Sequence, residues 1–341
     1  MNNYFVRRFL LIIPTFLGIT LIVFAITRVV PGGPIERAIT AHLLAQTEGG
    51  GRGRADNNTQ PLNKEALEQL KAFYGFDKPW PQAYLIWLGK LLRGDMGKST
   101  KYSDPVLMMI VSKFPISLRF GIISTILIYT VCIPLGVKKA LKHRGHFDNI
   151  SSIFIFIGYA LPGYIVAIIL LQLFAFSLKW FPSGGLFSRN YAELGFFGKI
   201  GDNVKHMFLP IIAYVIGSFA VMTMTMKNNL MENMAADYIK TAVAKGRVFK
   251  DAMWKHAFRN SIIPIAATLG SLLTIFFSGS FLIEKIFNIN GIGLLGFRAI
   301  QDRDYPVVLG VLVITSLLTL LGNILSDFIL SLVDPRIRLG E

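Results

Sequence analysis

Gly97, Lys98 and Ser99 spell the end of a phosphate-binding loop, in which backbone amides and a lysine cradle phosphates. The opening glycine of that pattern would fall at position 92, which is Leu92, so the loop is incomplete. Ser278 and Ser280 offer hydroxyl nucleophiles, but neither has a histidine or carboxylate in its own apolar run to act as base. His143 and His146 are two of the ligands a zinc site needs, in a lysine-rich loop where solvated side chains are the norm. Cys132 is the single cysteine, which rules out an intrachain disulfide and a cysteine metal cluster. No catalytic residue, cofactor site or metal site is assigned to this chain.

The elements around these residues belong to a membrane protein. The 341 residues are 53% hydrophobic and 16% charged, against about 25% charged in ordinary soluble chains. A hydrocarbon core of roughly 30 Å needs about 20 apolar residues per helix. Six such runs are present: Phe9 to Val30, Phe114 to Val137, Ile150 to Phe176, Met207 to Met226, Ser261 to Ile283 and Pro306 to Leu332. The first leads into Pro31-Gly-Gly-Pro34 rather than a small-residue cleavage site, and so reads as a retained helix. The alternation of a transmembrane barrel is absent. The fold expected is therefore all-α with six transmembrane helices.

Lysine and arginine resist translocation, and they concentrate in Arg7 and Arg8, in Lys138, Lys139, Lys142 and Arg144, between Lys227 and Arg259, and in Arg336 and Arg338. Those segments belong inside, which puts both termini in the cytoplasm. The net charge of +15 thus reads as a topology and lipid-contact signal, not as a nucleic-acid surface. The layout is a tail with the first span (1–30), an outer segment (31–113), a core of five spans (114–332) holding an inner loop at 227–259, and a short inner tail (333–341). Within the outer segment, 46–61 is polar, glycine-rich and unable to bury a core. Leu62, Ala66, Leu67, Leu70 and Phe73 follow at helical spacing, and Tyr84, Trp87, Leu88 and Leu91 predict a second short helix that could pack on the outer rim.

Ion-coupled transport usually needs ionisable groups buried in the spans. They are nearly missing: Arg28 and Arg119 lie near helix ends, Asp327 sits near the inner end of the last helix, and no histidine falls mid-span. With neither a coupling carboxylate nor a nucleotide loop, driven transport would need a partner as its engine. The inner loop contains the candidate for that contact, a helix over 232–246 with Ala235, Asp237, Tyr238, Thr241, Ala242 and Lys245. Met234, Tyr238 and Ala242 fall at helical spacing, and Gly246 can end the helix with a positive φ. By physics alone such a helix suits the lipid surface and a protein groove equally.

The run Asp237-Tyr-Ile-Lys-Thr-Ala-Val-Ala-Lys-Gly246, with Lys255-His-Ala-Phe-Arg-Asn260 and Ile263-Pro264, resembles the coupling segment of ABC importer permeases of the oligopeptide, dipeptide and nickel class. The likeness extends through Arg7-Arg8, Gly75-Phe-Asp-Lys-Pro79, Leu92-Arg-Gly-Asp-Met-Gly-Lys-Ser99, Ile133-Pro-Leu-Gly136 and Asp334-Pro-Arg-Ile337. Pro31-Gly-Gly-Pro34, Gly158-Tyr-Ala-Leu-Pro162, Asn290-Gly-Ile-Gly-Leu-Leu-Gly296 and Arg303-Asp-Tyr-Pro306 are most similar to the Yej-type branch, which is associated with oligopeptides and the peptide antibiotic microcin C. One departure stands out: the general importer motif begins Glu-Ala-Ala, whereas Lys240, Thr241 and Ala242 keep only the last alanine, together with Gly246.

The resemblance implies a type I ABC importer permease fold in the bacterial inner membrane, with a long periplasmic segment between the first two helices. It implies a second homologous permease, a cytoplasmic ABC ATPase that binds ATP and Mg2+, a periplasmic substrate-binding protein, and a peptide substrate passing within membrane lipid. Ala235, Asp237, Tyr238, Thr241, Ala242, Lys245 and Gly246 would then face the ATPase. Asn290, Gly291, Arg303 and Asp304 are candidates for binding-protein contact or a periplasmic gate, from their position alone. Gly158, Pro162, Pro264 and Gly270 are candidate points of bending or close approach. The alternatives are an importer of the same class for nickel or another small solute, and an ion-coupled carrier.

Overall fold

The computed structural model describes residues 2–29, 78–270 and 279–333. The expectations for Pro31 to Pro34, 46–61, Leu62 to Phe73, Gly75 to Asp77, Ser278 and Asp334 to Arg338 lie outside the described residues. Within them the chain is helical: α1 Asn2–Val29, α2 Trp80–Leu92, α3 Val106–Leu141, α4 His146–Ala160, α5 Gly163–Leu170, α6 Phe196–Ala235, α7 Asp237–Ala244, α8 Phe281–Ile286, α9 Ile292–Gln301 and α10 Tyr305–Val333. Short helical pieces fill 249–267 between α7 and α8.

Among the described residues, four stretches are long and apolar enough to cross a bilayer: Val6–Ala25, Val106–Leu141, Phe196–Ala235 and Tyr305–Leu332. The expected third span is not one straight helix. Its halves, His146–Ala160 and Gly163–Ser177, meet at 100°. Proline explains the corner: the residue before a proline is pushed out of the helical region, and Leu161 is extended (φ −95, ψ 122) ahead of Pro162. The expected fifth span runs through 271–278, outside the described residues, and its described part is broken at Ile262, just before Pro264.

The chain divides into two compact units. The larger comprises Met1–Leu10, Lys113–Leu294 and Leu317–Glu341. Its core is a continuous apolar cluster in which Ile128, Cys132, Met226, Leu230, Ile239, Ala257, Ile265 and Phe287 are all buried. Helices α3 and α6 approach closely because Gly136 lacks a side chain: a Cβ there would lie 2.6 Å from Met226 Cβ. Gly158 similarly abuts Ile216. Arg8 pairs with Asp327 within this unit.

The smaller unit comprises Leu11–Ser112 and Leu295–Ser316. As the spacing predicts, Tyr84, Trp87 and Leu88 share one helix, which packs against Phe24 of α1. The Tyr84 hydroxyl lies 3.0 Å from Thr20 Oγ1, so this contact is polar as well as apolar. A second cluster joins Val106 and Ile110 to Leu295, Ala299 and Val307.

Candidate functional site

Helix α6 runs for 40 residues and stops at Ala235 because Ala236 turns extended (φ −67, ψ 148). The expected helix over 232–246 is thus two pieces, with α7 starting anew at Asp237. An acidic residue in the first turn complements the helix dipole, and Asp237 holds Lys240 Nζ at 2.9 Å. This ion pair lowers the Asp237 carboxyl below its ordinary pKa. At the far end Gly246 adopts φ +87; its N–H donates to Val243 O (2.9 Å) and the Arg247 N–H to Ala242 O (3.2 Å). These two reverse bonds are the Schellman closure that glycine permits and a Cβ opposes.

The break at Ala236 changes which residues face where. Met234 belongs to α6, and Met234 and Ala242 both pack on the core from different helices. Ile239, absent from the expected set, is the buried anchor of α7. Ala235, Asp237, Tyr238, Thr241, Lys245 and Gly246 are exposed. The Tyr238 hydroxyl donates back to Asn233 Oδ1 (2.5 Å), bracing the corner. Beyond α7, the chain returns through buried Ala252, Met253 and Ala257, while Val248, Phe249 and Trp254 stay exposed. Ser261 Oγ, which donates to Ala257 O, also lies 3.1 Å from Asn229 O on α6, tying the return to the long helix. The result is a short helix nailed by one isoleucine to the end of a long rod, with most of its surface open.

Near that end of α6 lies a buried charge cluster, formed just beyond the expected second and fourth spans and just ahead of the third. Asp148 opens α4 and receives Lys227 Nζ of α6 on both oxygens (2.8 and 2.7 Å). Lys139 Nζ of α3 lies 3.0 Å from Asp148 Oδ1 and donates to Asp148 O, Ser151 Oγ and Ser152 Oγ at 2.8–2.9 Å. The intervening turn places Arg144 at φ +61, where its N–H donates to Asp148 Oδ2 (3.1 Å). His143 Nδ1 is 3.3 Å from the same oxygen. One aspartate thereby joins three helices. Lys139 and Lys227 carry the positive-inside signal in sequence, and that reading conceals their burial; the only hint was an isolated acid in a basic segment.

Glu284 is a second buried carboxylate missed by sequence, one residue past the expected fifth span. Its Oε2 accepts the Leu294 N–H at 2.6 Å, and the N–H groups of Gly293 and Gly291 also turn toward it. Gly291 is buried against this carboxylate, and a Cβ there would meet Oε1 at 2.6 Å. Asn290 next to it is exposed. Tyr214 of α6 donates its hydroxyl to Glu284 Oε1 (3.4 Å) and accepts the Ser280 N–H (3.0 Å). The glycine run Asn290 to Gly296 is therefore, in part, a carboxylate cradle.

In the smaller unit, Asp304 is buried and accepts Ser99 Oγ (2.5 Å), Thr100 N–H (3.0 Å) and Thr100 Oγ1 (3.1 Å). The apparent phosphate-loop remnant is thus a clasp, turned by Gly94 and Gly97 at φ near +80 and aimed at an aspartate of its own chain. Of the candidate outer contacts, Arg303 is exposed and Asp304 is committed internally.

Residues 132–339 match the family described as "Binding-protein-dependent transport system inner membrane component". The chain is 41% identical over 99% of both chains to an inner membrane ABC transporter permease protein, YejB, of Escherichia coli O157:H7. It is 37% identical to a peptidoglycan transport system permease protein YejB of Agrobacterium fabrum, over 99% of this chain and 98% of the relative. It is 32% identical to the oligopeptide transport system permease protein AppB of Bacillus subtilis, over 99% of this chain and all of the relative. Among solved structures, the MetNI methionine ABC transporter in inward-facing form matches its fold with a TM-score of 0.50 at 16% identity, covering 67% of this chain and 97% of that one.

Proposed function

The chain belongs to the binding-protein-dependent transport system inner membrane components, and on that premise we propose that it is the permease subunit of an ATP-driven peptide importer. ATP, with its Mg2+, is hydrolysed on a separate ATPase subunit, and this chain converts the movement of that subunit into opening and closing of a path shared with a second, homologous permease. The six spans with both termini in the cytoplasm are the four long apolar helices, the bent pair taken as one span, and a sixth over Ser261 to Ile283, part of which lies outside the described residues. On this topology α7 faces the cytoplasm and the Asn290 loop faces the periplasm, where a binding protein delivers cargo. Lipid surrounds the exposed apolar faces.

The observation that carries this reading is α7 itself: a short helix fixed by Ile239 and the Gly246 closure, displayed at the end of the 40-residue α6. A docking element needs an exposed face and a stiff connection, because only differential contact with two states can drive a transition. Tyr238, Thr241, Lys245 and Ala235 form the open face toward the ATPase. Ala242 is half-buried and acts from beneath, as a spacer between α7 and the core.

Peptide cargo follows from relatives named for oligopeptide and peptidoglycan transport; microcin C-like peptides are the narrower proposal within it. The test is uptake by proteoliposomes holding both permeases and the ATPase, with binding protein outside. Labelled trialanine should accumulate with ATP, unlabelled microcin C should compete, and nickel should not. Nickel accumulation without peptide uptake would transfer the chain to the metal branch of the class. Gly246→Trp forces a bulky side chain into the positive-φ position and should abolish co-purification of the ATPase while the permease remains in the membrane. Undiminished association would remove α7 from the docking role.

A further inference from the structure

Two of the attachments of helix α6 lie far apart along it. At one end it runs into α7; toward the other, Tyr214 touches the Glu284 cradle. From Tyr214 to Ala235 the rod is about 32 Å long at 1.5 Å per residue. It thus runs from the proposed ATPase contact to the Glu284 cradle.

The 279–294 segment holds together around one carboxylate. The Glu284 side chain collects the Leu294 N–H, while its main-chain carbonyl accepts the Ile289 N–H at 2.7 Å. The Ile292 N–H is taken by Ser117 Oγ of α3 at 3.0 Å. Ile283, Phe287 and Ile289 pack into the apolar core. Apolar packing supplies adhesion without direction, whereas a hydrogen bond weakens steeply when its angle is lost. The Tyr214 hydroxyl is the directional link from α6, because it serves Glu284 and the Ser280 N–H at once. Its ring is separately held by stacking on Phe120, with centroids 5.9 Å apart.

We infer that Tyr214 and Glu284 are positioning residues for the outer loop, transmitting displacement of α6 from its α7 end to Asn290 and Gly291. The inference rests on the permease reading and adds to it a defined contact between engine and gate. It assigns Glu284 a role distinct from substrate binding, for the carboxylate is sealed from solvent.

The test uses the assembled importer, with partner permease, ATPase and binding protein, in nanodiscs and in liposomes. Tyr214→Phe keeps the stacked ring and removes only the hydroxyl. Glu284→Gln keeps the shape but places an amide donor among N–H donors. In both variants, stimulation of ATP hydrolysis by peptide-loaded binding protein should fall toward the basal rate, and trialanine uptake should fall roughly tenfold, the scale of one hydrogen bond to a charged group. Basal hydrolysis should persist, which a general loss of folded protein would not allow. A second readout is Asn290→Cys labelled with a membrane-impermeant maleimide. Vanadate trapping of the ATPase should change the labelling rate in the native background and leave it unchanged with Tyr214→Phe. If Glu284→Gln fails to accumulate, Tyr214→Phe decides alone. Native stimulation and nucleotide-sensitive labelling in Tyr214→Phe would overturn the inference. A native complex with neither stimulation nor uptake would overturn the permease reading, and this contact with it.

Discussion

Asp148 and Glu284 are equally hidden, at 2% and 1% exposure, yet they are stabilised by opposite means. Asp148 is met by two ammonium groups on other helices, whereas the polar contacts of Glu284 are backbone N–H groups from its own hairpin and one phenol. The first is a charge-for-charge weld. The second is solvation by dipoles, with glycines admitting the backbone closely enough to replace water. Breaking the two should differ in kind. Removing Asp148 takes the counter-charge from two buried cations, while loosening the Glu284 cradle forfeits individual hydrogen bonds that water can replace if the loop opens. On the proposed coupling role, the contrast suits a subunit whose α7 end moves as one body and whose other end opens.

The largest expected effect comes from Asp148→Ala. Breaking a buried ion pair by removing one partner costs about 3–5 kcal/mol, and here one residue serves two lysines. Thermal unfolding of the purified permease in detergent should show a steep drop in Tm or failure to accumulate. Lys227→Met should cost less, because Asp148 retains Lys139, the Arg144 N–H and His143. If Asp148→Ala is no worse than Glu284→Ala, the distinction between weld and cradle collapses.

Gly291→Ala comes next. Its methyl would sit 2.6 Å from Glu284 Oε1, and forcing extra atoms into a packed site costs roughly 1–3 kcal/mol. In the double variant Gly291→Ala, Glu284→Ala the clash disappears, so the combined loss of Tm should fall well short of the sum of the singles. Simple additivity would mean that the glycine answers to something other than the carboxylate. Ser99→Ala tests a carboxylate of intermediate kind. Asp304 would lose one short hydrogen bond and keep two from Thr100, so a loss of about 1 kcal/mol is expected by chemical denaturation.

How much of this was legible in sequence depends on whether a feature is local. The Pro162 corner, the Gly246 closure and the Tyr84–Trp87–Leu88 face are written in neighbouring residues, and the structure carries them. The helical segment over 232–246 was visible as a segment, but not its break at Ala236, since alanine favours helix and nothing nearby forbids it. Ile239 escaped because the helical spacing of Met234, Tyr238 and Ala242, read across that break, singled out a different face of the helix. The buried charges were obscured for another reason. Lys139 and Lys227 meet at Asp148 from distant parts of the chain, and a lysine beside a membrane helix satisfies the topology rule whether or not it is buried. Glu284 looks like an ordinary loop acid until the three-dimensional path brings glycine amides around it.

The smallest expected effect belongs to the exposed ion pair of α7, Lys240 with Asp237, and its smallness sharpens the contrast with Asp148. Both partners are solvent-exposed, and such pairs contribute little to stability. The Asp237 carboxyl is lowered by its hydrogen bond to Lys240. Its folded-state pKa therefore lies below the unfolded one, so any stabilisation is present above the unfolded value and fades as pH falls through the folded value. Lys240→Glu should leave the Tm at neutral pH unchanged within error. On the reading of α7 as the ATPase contact, the same variant should still weaken ATPase co-purification, because it reverses a charge on the docking surface. A Tm that falls as far as in Lys227→Met would show that α7 is braced by this pair; unchanged Tm with lost association would separate a residue that serves the partner from one that serves the fold.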